Sequence, residues 1–384
     1  MKEEIIVFSD VHFAKIWDDI DKLLGDKLDM LNPNRELRRI VKIINSSTNA
    51  VAVINNGDSV DYFFADYFGN KLTGSRETNW DLFNSIVAKI KKQYYEIPGN
   101  HDYRSLGYNF DLYGLKHINI SDHNRKKFAK LIGHNKFRWL KEWTTLSVNE
   151  KKFDPLKKFN GFKKPVEKDF GKFHCIFLNT GSDAIVRFKN IFKYIKKVFT
   201  KSTLKQIVLK NNWRGLVSCV NDGIKKKDLD FINEALEKNH HREFYFFLHT
   251  PIINSRKSHP DKIYQLKMEG FLGSIAKQNL DYEVVLNGGG MFLEILTDKN
   301  YLKKNFIIVA SHIHNAKYFL IHKETLVAKE VTLGELNKEK NNPAYIKHLT
   351  TLSLGALDFC PENRHTGYLK ISADGFREVV LNKF

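Results

Sequence analysis

Glu4-Ile5-Ile6-Val7-Phe8-Ser9-Asp10-Val11-His12 decides how the rest of the chain is read. An apolar run of strand length ends abruptly in a polar cluster, the pattern of a short buried strand that delivers side chains at its C-terminal end. The pattern recurs at 50–55, which runs into Gly57-Asp58-Ser59-Val60-Asp61, and at 94–97, which runs into Gly99-Asn100-His101-Asp102. Between these strands the apolar period changes from two to 3.6. Leu37, Ile40, Val41 and Ile44 share one helix face over 35–44, and Leu82, Phe83, Ile86, Val87 and Ile90 share another over 80–90.

The alternation continues with strands expected at 173–178, 244–248 and 306–310 and helices at 225–236 and 263–276. Strands alternating with helices indicate an α/β fold. From 317 onward the texture is mostly β, with strands expected at 318–321, 349–354, 368–371 and 377–381, the last two joined at Asp374-Gly375. No internal repeat or flexible linker interrupts the chain, so a single domain over 1–384 is expected, with insertions at 106–169 and 184–221.

The chain has 384 residues, 42% of them hydrophobic, enough for a large buried core. No apolar run reaches membrane-spanning length, which excludes an integral helical membrane protein. Met1-Lys2-Glu3-Glu4 leads straight into the first strand and is too short and acidic for a secretion signal. Cys175, Cys219 and Cys360 are odd in number and lack metal-site spacing, as expected of reduced core thiols in a cytoplasmic protein. The formal charge of +18 predicts attraction to polyanions. Only 13 of the 62 basic residues are arginine, however, and dedicated phosphate readers favour the bidentate guanidinium, so a general compositional bias towards lysine is the competing explanation.

Five polar clusters sit at strand ends, where open α/β sheets place their sites. They are Asp10-Val11-His12, Gly57-Asp58-Ser59-Val60-Asp61, Gly99-Asn100-His101-Asp102, His249 and His312-Ile313-His314. Carboxylate, amide oxygen and imidazole are the donors that divalent metals take, and the five clusters supply enough of them for two ions sharing one carboxylate. Gly57 and Gly99 would let the backbone turn sharply, so that the following Asp and Asn face one site.

In order and spacing these blocks resemble the calcineurin-like metallophosphoesterase family, whose pattern is Asp-x-His, Gly-Asp-x-x-Asp, Gly-Asn-His-Asp/Glu, a lone His and Gly-His-x-His. The one departure is Ser311 where the family has Gly. The resemblance implies a four-layer α/β/β/α sandwich with helical insertions, and a hydrolase of phosphoesters that uses two divalent ions (Mn, Fe, Zn, Ni or Co). It implies that Asp10, His12 and His314 hold one metal and Asn100, His249 and His312 the other, with Asp58 bridging. His101 would assist the leaving oxygen, Asp102 would orient the His101 ring, and Asp61 would bond a ligand histidine.

Within the family, Tyr62-Phe63 after Asp61 differ from the Arg-Gly of Ser/Thr protein phosphatases. Asp61 itself differs from the metal-bound Tyr of purple acid phosphatases, and His101 from the Arg of lipid A precursor hydrolases. What remains is the Gly-Asn-His-Asp branch of phosphodiesterases and nucleases, with a phosphomonoesterase or a non-catalytic scaffold as alternatives. Arg104 is a candidate contact to substrate phosphate or a solvated loop residue. The acid-free segment 187–214 carries Lys193, Lys196, Lys197 and Lys201 beside Phe188, Ile191, Phe192, Ile195 and Phe199 at helical spacing. It reads as a basic amphipathic helix that packs on the core, lies on an anionic membrane surface or contacts nucleic acid. Gly288-Gly289-Gly290 reads as an anion-binding nest or a plain loop leading into a helix.

Overall fold

The computed structural model describes residues 2–24, 32–63, 65, 78–103, 156–181, 223–241, 243–253, 286, 288–355 and 365–383. Arg104, Cys219, Cys360, the segment 187–214 and the helix expected over 263–276 lie outside the described residues, as does most of each expected insertion.

The first half supplies β1 (Glu4–Phe8), α1 (Lys15–Leu24), α2 (Pro33–Ser46), β2 (Ala50–Asn55), α3 (Asn79–Val87) and β3 (Tyr94–Glu96). Next come β4 (Val166–Phe170), β5 (Phe173–Leu178), α4 (Lys226–Lys238), β6 (Glu243–Leu248), α5 (Gly289–Leu296) and β7 (Asn305–Ala310). The C-terminal part holds β8 (Lys317–His322), β9 (Ala328–Val331), α6 (Leu333–Lys338), β10 (Tyr345–Thr350), β11 (His365–Ser372) and β12 (Gly375–Lys383). One sheet runs β12-β11-β1-β2-β3 and the other β4-β5-β6-β7-β10-β8-β9. β1, β2 and β3 are parallel, as are β5, β6, β7 and β10, so two sets of strand C-termini converge on one rim.

Three cores separate four layers. Between the sheets, Ile5, Val7 and Ile54 meet Phe177, Phe247, Ile307 and Val309. The alternate residues of the same strands face outward: Ile6, Phe8 and Val53 pack under Leu37, Ile40, Ile44, Trp80 and Phe83 of α2 and α3. On the far side, Phe244, Phe246 and Ile308 pack under Leu229, Ile232, Phe292 and Leu293 of α4 and α5. Strands with both faces covered must be apolar throughout, which is why they read as continuous apolar runs.

Several elements differ from expectation. The strand placed at 349–354 occupies Tyr345–Thr350 instead. Lys347 and His348 disguise its first half, yet both are fully buried, with the Lys347 ammonium donating to Asn305 Oδ1 and the carbonyls of Asn342 and Tyr345. α6 interrupts the β-rich end. Its signal was available in Thr332-x-x-Glu335, which forms a reciprocal capping box. α2 begins earlier than expected because Asn32 accepts the backbone N–H groups of Asn34 and Arg35 ahead of Pro33 at the first helical position. α1 was not expected. β4, at the end of the stretch 106–169, forms the edge of the second sheet.

Candidate metal centre

The loops leaving β1 and β2 lie side by side. Asp10 N–H donates to Gly57 O (2.9 Å) and His12 N–H to Asp58 O (3.0 Å), so the first two polar blocks form one surface. In Asp10-Val11-His12 and His312-Ile313-His314 the central residue is buried in the core while the flanking pair turns to the site. That turn requires a left-handed backbone. Asp10 (φ 50°), His12 (51°), Asp58 (54°), His312 (70°) and His314 (59°) all adopt it, and Leu326 is the only other such non-glycine among the described residues. Each costs on the order of 1 kcal/mol or more, and such strain concentrates where side-chain direction matters more than stability. Gly57 is left-handed as well (φ 99°), and a methyl there would collide with His249 Nδ1; one at Gly99 would collide with the Asp58 carboxylate. These two glycines let the strand ends approach the ligating groups directly.

Three groups of atoms able to ligate a metal result, each gathered within 4.8 Å: Asp10, His12, Asp58 and His314 in the first, Asp58, His249 and His312 in the second, and His12, Asp61 and His101 beside them. In the first, His314 Nε2 lies 3.3 Å from Asp10 Oδ1 and 3.3 Å from His12 Nε2. In the second, His249 Nε2 lies 3.3 Å from Asp58 Oδ2 and 3.2 Å from Asn100 Oδ1. The first two meet at one oxygen, because Asp58 Oδ2 is also 3.7 Å from His12 Nε2. Asp58 Oδ1 is held back by the N–H of His101 (2.8 Å).

The electrostatics suit a cation. His249 Nδ1 is 3.0 Å from the Asn56 carbonyl, which only accepts, so Nδ1 carries the hydrogen and Nε2 is turned to Asp58 and Asn100. Burial pushes the His249 imidazole down, but the Asp58 carboxylate outweighs it and takes the group up to about 9. Asp10 is pushed up by burial and brought down to about 2 by His314. Burial also opposes ionisation of Asp58, and His249 holds it well below the carboxylate range. Buried carboxylates thus stabilise positive charge at imidazole nitrogens, and a divalent ion bound by nitrogen and oxygen donors supplies that charge without a proton.

Around His101 the structure corrects the sequence reading. Asp102 does not reach the ring: Val60 N–H donates to its Oδ1 (3.0 Å) and Gly99 N–H to its Oδ2 (2.8 Å). Two backbone donors capture the carboxyl, so it braces the second and third blocks against each other. Burial and the neighbouring Asp58 raise it well above the usual range. Asp61 takes the role expected of Asp102, with Oδ1 2.6 Å from His101 Nδ1; Nδ1 of His12, the ligand histidine expected as its partner, is a longer 3.7 Å from the same oxygen. Burial would raise Asp61, but the hydrogen bond from His101 lowers it far below the usual range.

A further cluster, Asp169, His174 and His241, lies near the opposite ends of β5 and β6. Its imidazoles stack with centroids 4.3 Å apart and planes 18° from parallel, so their in-plane lone pairs run side by side and do not meet on one ion. Sequence reasoning also missed Ser9, Asn56 and Thr351, which are buried directly behind the ligands. The first two adjoin the motifs; nothing local marks Thr351.

No curated protein matches the sequence. Among solved structures, the chain is similar to a dimetal phosphatase from Danio rerio, at 11% identity and a TM-score of 0.47 over 100% of this chain and 99% of that one. It is also similar to a purple acid phosphatase from yellow lupin (Lupinus luteus), at 13% identity and 0.47 over 100% and 53% of the two chains. A putative 5'-nucleotidase from Staphylococcus aureus gives 11% and 0.42 over 100% and 55%. The family model described as calcineurin-like phosphoesterase matches residues 4–218. That match spans more than half of the sequence and includes the first three polar blocks, and the chain belongs to the calcineurin-like phosphoesterase family, metal-dependent hydrolases of phosphoesters.

Proposed function

We propose that the chain hydrolyses phosphodiesters at a dinuclear centre. Asp10, His12 and His314 hold one divalent ion, Asn100, His249 and His312 the other, and Asp58 bridges them. The observation that carries this reading is the position of Asp58 Oδ2, 3.3 Å from His249 Nε2 and 3.7 Å from His12 Nε2, one oxygen within reach of both groups.

When bound, two divalent cations lower the pKa of attacking water and stabilise the charge that develops on the phosphoryl oxygens. The protein's own groups do the rest. The Asn56 carbonyl keeps His249 Nε2 turned to the site. Asp61 holds His101 by Nδ1, and the His101 side chain is about a fifth exposed. Its Nε2 passes a proton to the departing oxygen. A poor alkoxide leaving group gains most from such a donor, which supports diesters as substrates. The nitrogen and oxygen donors lack thiolate and suit Mn, Fe, Zn, Ni or Co alike. The +18 charge supports an anionic substrate or surface, nucleic acid or acidic lipid, met through 187–214.

The test is turnover by Mn-reconstituted protein on bis-nitrophenyl phosphate, nitrophenyl phosphate, cyclic nucleotides and single-stranded DNA. Faster turnover of the diesters is expected. Activity confined to the monoester would overturn the diester assignment.

A further inference from the structure

Four strands from both sheets are each followed directly by a buried polar residue: Ser9 after β1, Asn56 after β2, Ser311 after β7 and Thr351 after β10. Their side chains form one line of hydrogen bonds across the seam between the sheets. Asn56 Nδ2 is 2.8 Å from Ser311 Oγ, Ser311 Oγ 3.1 Å from Thr351 Oγ1, Thr351 Oγ1 2.8 Å from Ser9 Oγ, and Ser9 Oγ 2.6 Å from Asp10 Oδ2.

The protons in this line have one consistent arrangement. Asn56 must present its NH2 group, because that end faces the carbonyls of Leu248 (3.0 Å) and Val309 (3.2 Å), which only accept. At the other end the Asp10 carboxylate also only accepts, so Ser9 gives it its single hydroxyl proton. Ser9 must then receive from Thr351, and Thr351 from Ser311. Ala310 O, a longer 3.4 Å from Thr351 Oγ1, is the weaker alternative. The three hydroxyls therefore donate towards Asp10, and hydroxyls aligned head to tail strengthen one another; the two hydrogens of the Asn56 NH2 group are shared among Ser311 Oγ and the two carbonyls. Among the described residues, the other donor to Asp10 Oδ2 is the distant N–H of His312 at 3.4 Å. Asp10 Oδ1 is left towards His314 Nε2. At the start of the line, the backbone carbonyl of Asn56 is the group that orients His249.

We propose that Ser9, Thr351 and Ser311 are positioning residues for metal binding: a unidirectional hydroxyl relay that fixes Asp10 and ties it to Asn56, the residue orienting His249. The relay rests on the reading of Asp10 as a ligand, and it passes through Ser311, the position where this sequence departs from the family pattern. Carboxylates and hydroxyls that orient a ligand are worth about 10- to 100-fold in metal affinity.

The test is calorimetric titration of Mn(II) into metal-stripped full-length protein. Thr351→Val removes the hydroxyl at nearly constant volume, and Thr351→Ser keeps it. Thr351→Val is expected to weaken, by about 10- to 100-fold, the same binding step that Asp10→Asn weakens, while Thr351→Ser stays within about threefold of wild type. If the Val variant does not fold, Ser9→Ala removes the final donor and should weaken that step at least as much. An unchanged step in Thr351→Val, or in Ser9→Ala where that variant stands in, would overturn the relay. So would a Ser variant as impaired as the Val variant, since the methyl would then be what matters. Should Asp58→Asn still bind a full complement of ions, the metal-centre reading itself fails; should it bind fewer while Thr351→Val is silent, the relay alone fails.

Discussion

His101 Nδ1 lies 2.6 Å from Asp61 Oδ1, while the carboxyl of the adjacent Asp102 is spent on the backbone N–H groups of Val60 and Gly99. Chain neighbours are therefore not partners here, and the two aspartates have separable duties. Asp61→Asn should lower kcat by about 10- to 100-fold with folding retained, because the ring loses its ionised anchor. Asp102→Asn leaves one buried N–H facing an amide NH2 group and should cost about 1–3 kcal/mol of stability. Kinetics and thermal denaturation of both variants check the assignment; the reverse pattern would restore Asp102 as the ring's partner.

His101→Ala should retain both ions and lower kcat by about 10²–10⁴-fold, with the larger loss on substrates having poor leaving groups. A leaving-group series assayed on wild type and variant measures this. Equal losses across the series would make His101 a substrate-positioning group.

Metal binding should release protons. Asp58 raises the His249 imidazole to about 9, so near neutral pH the ring carries a proton that a metal must displace. Affinity should therefore rise with pH up to about 9, by roughly tenfold per unit for each proton released. Calorimetry in buffers of different ionisation enthalpy counts those protons, and none released at pH 7 would contradict the electrostatics described.

Glu96, buried at the end of β3 with Tyr94 O–H donating to it at 2.7 Å, is pushed up to about 7 by burial. A carboxyl raised in the folded state binds more protons folded than unfolded, so its contribution is fully present below about pH 4.5 and is lost as pH rises to about 7. The loss amounts to about 3 kcal/mol. Glu96→Gln should flatten the stability profile between those values, as urea denaturation across that range would report.

Much of this was legible in the sequence because covered parallel strands must be apolar and their ends must turn. The contrast of Ile5-Ile6-Val7-Phe8 with Ser9-Asp10, and the repetition of that contrast, mark both the layers and the rim. Less legible was whatever depends on contacts distant in sequence. β10 hides behind Lys347 and His348, whose burial is tolerable only because each finds partners: the Asn305 side chain of β7 and the carbonyls of Asn342 and Tyr345 accept from Lys347, and the N–H of Ile252, in the loop after β6, donates to His348 Nε2 at 3.1 Å. The sequence points to Asp102, the chain neighbour, as the partner of His101, and only the packing of the second loop on the third puts Asp61 there. Thr351 meets Ser9 across 342 residues of chain.

The central claim is that one carboxylate serves two ions, and elemental analysis of reconstituted protein tests it most directly. The wild type should hold about two divalent ions per chain, and Asp58→Asn should hold fewer and lose turnover. Full turnover with a single ion per chain, or an Asp58→Asn variant with undiminished occupancy and rate, would contradict it.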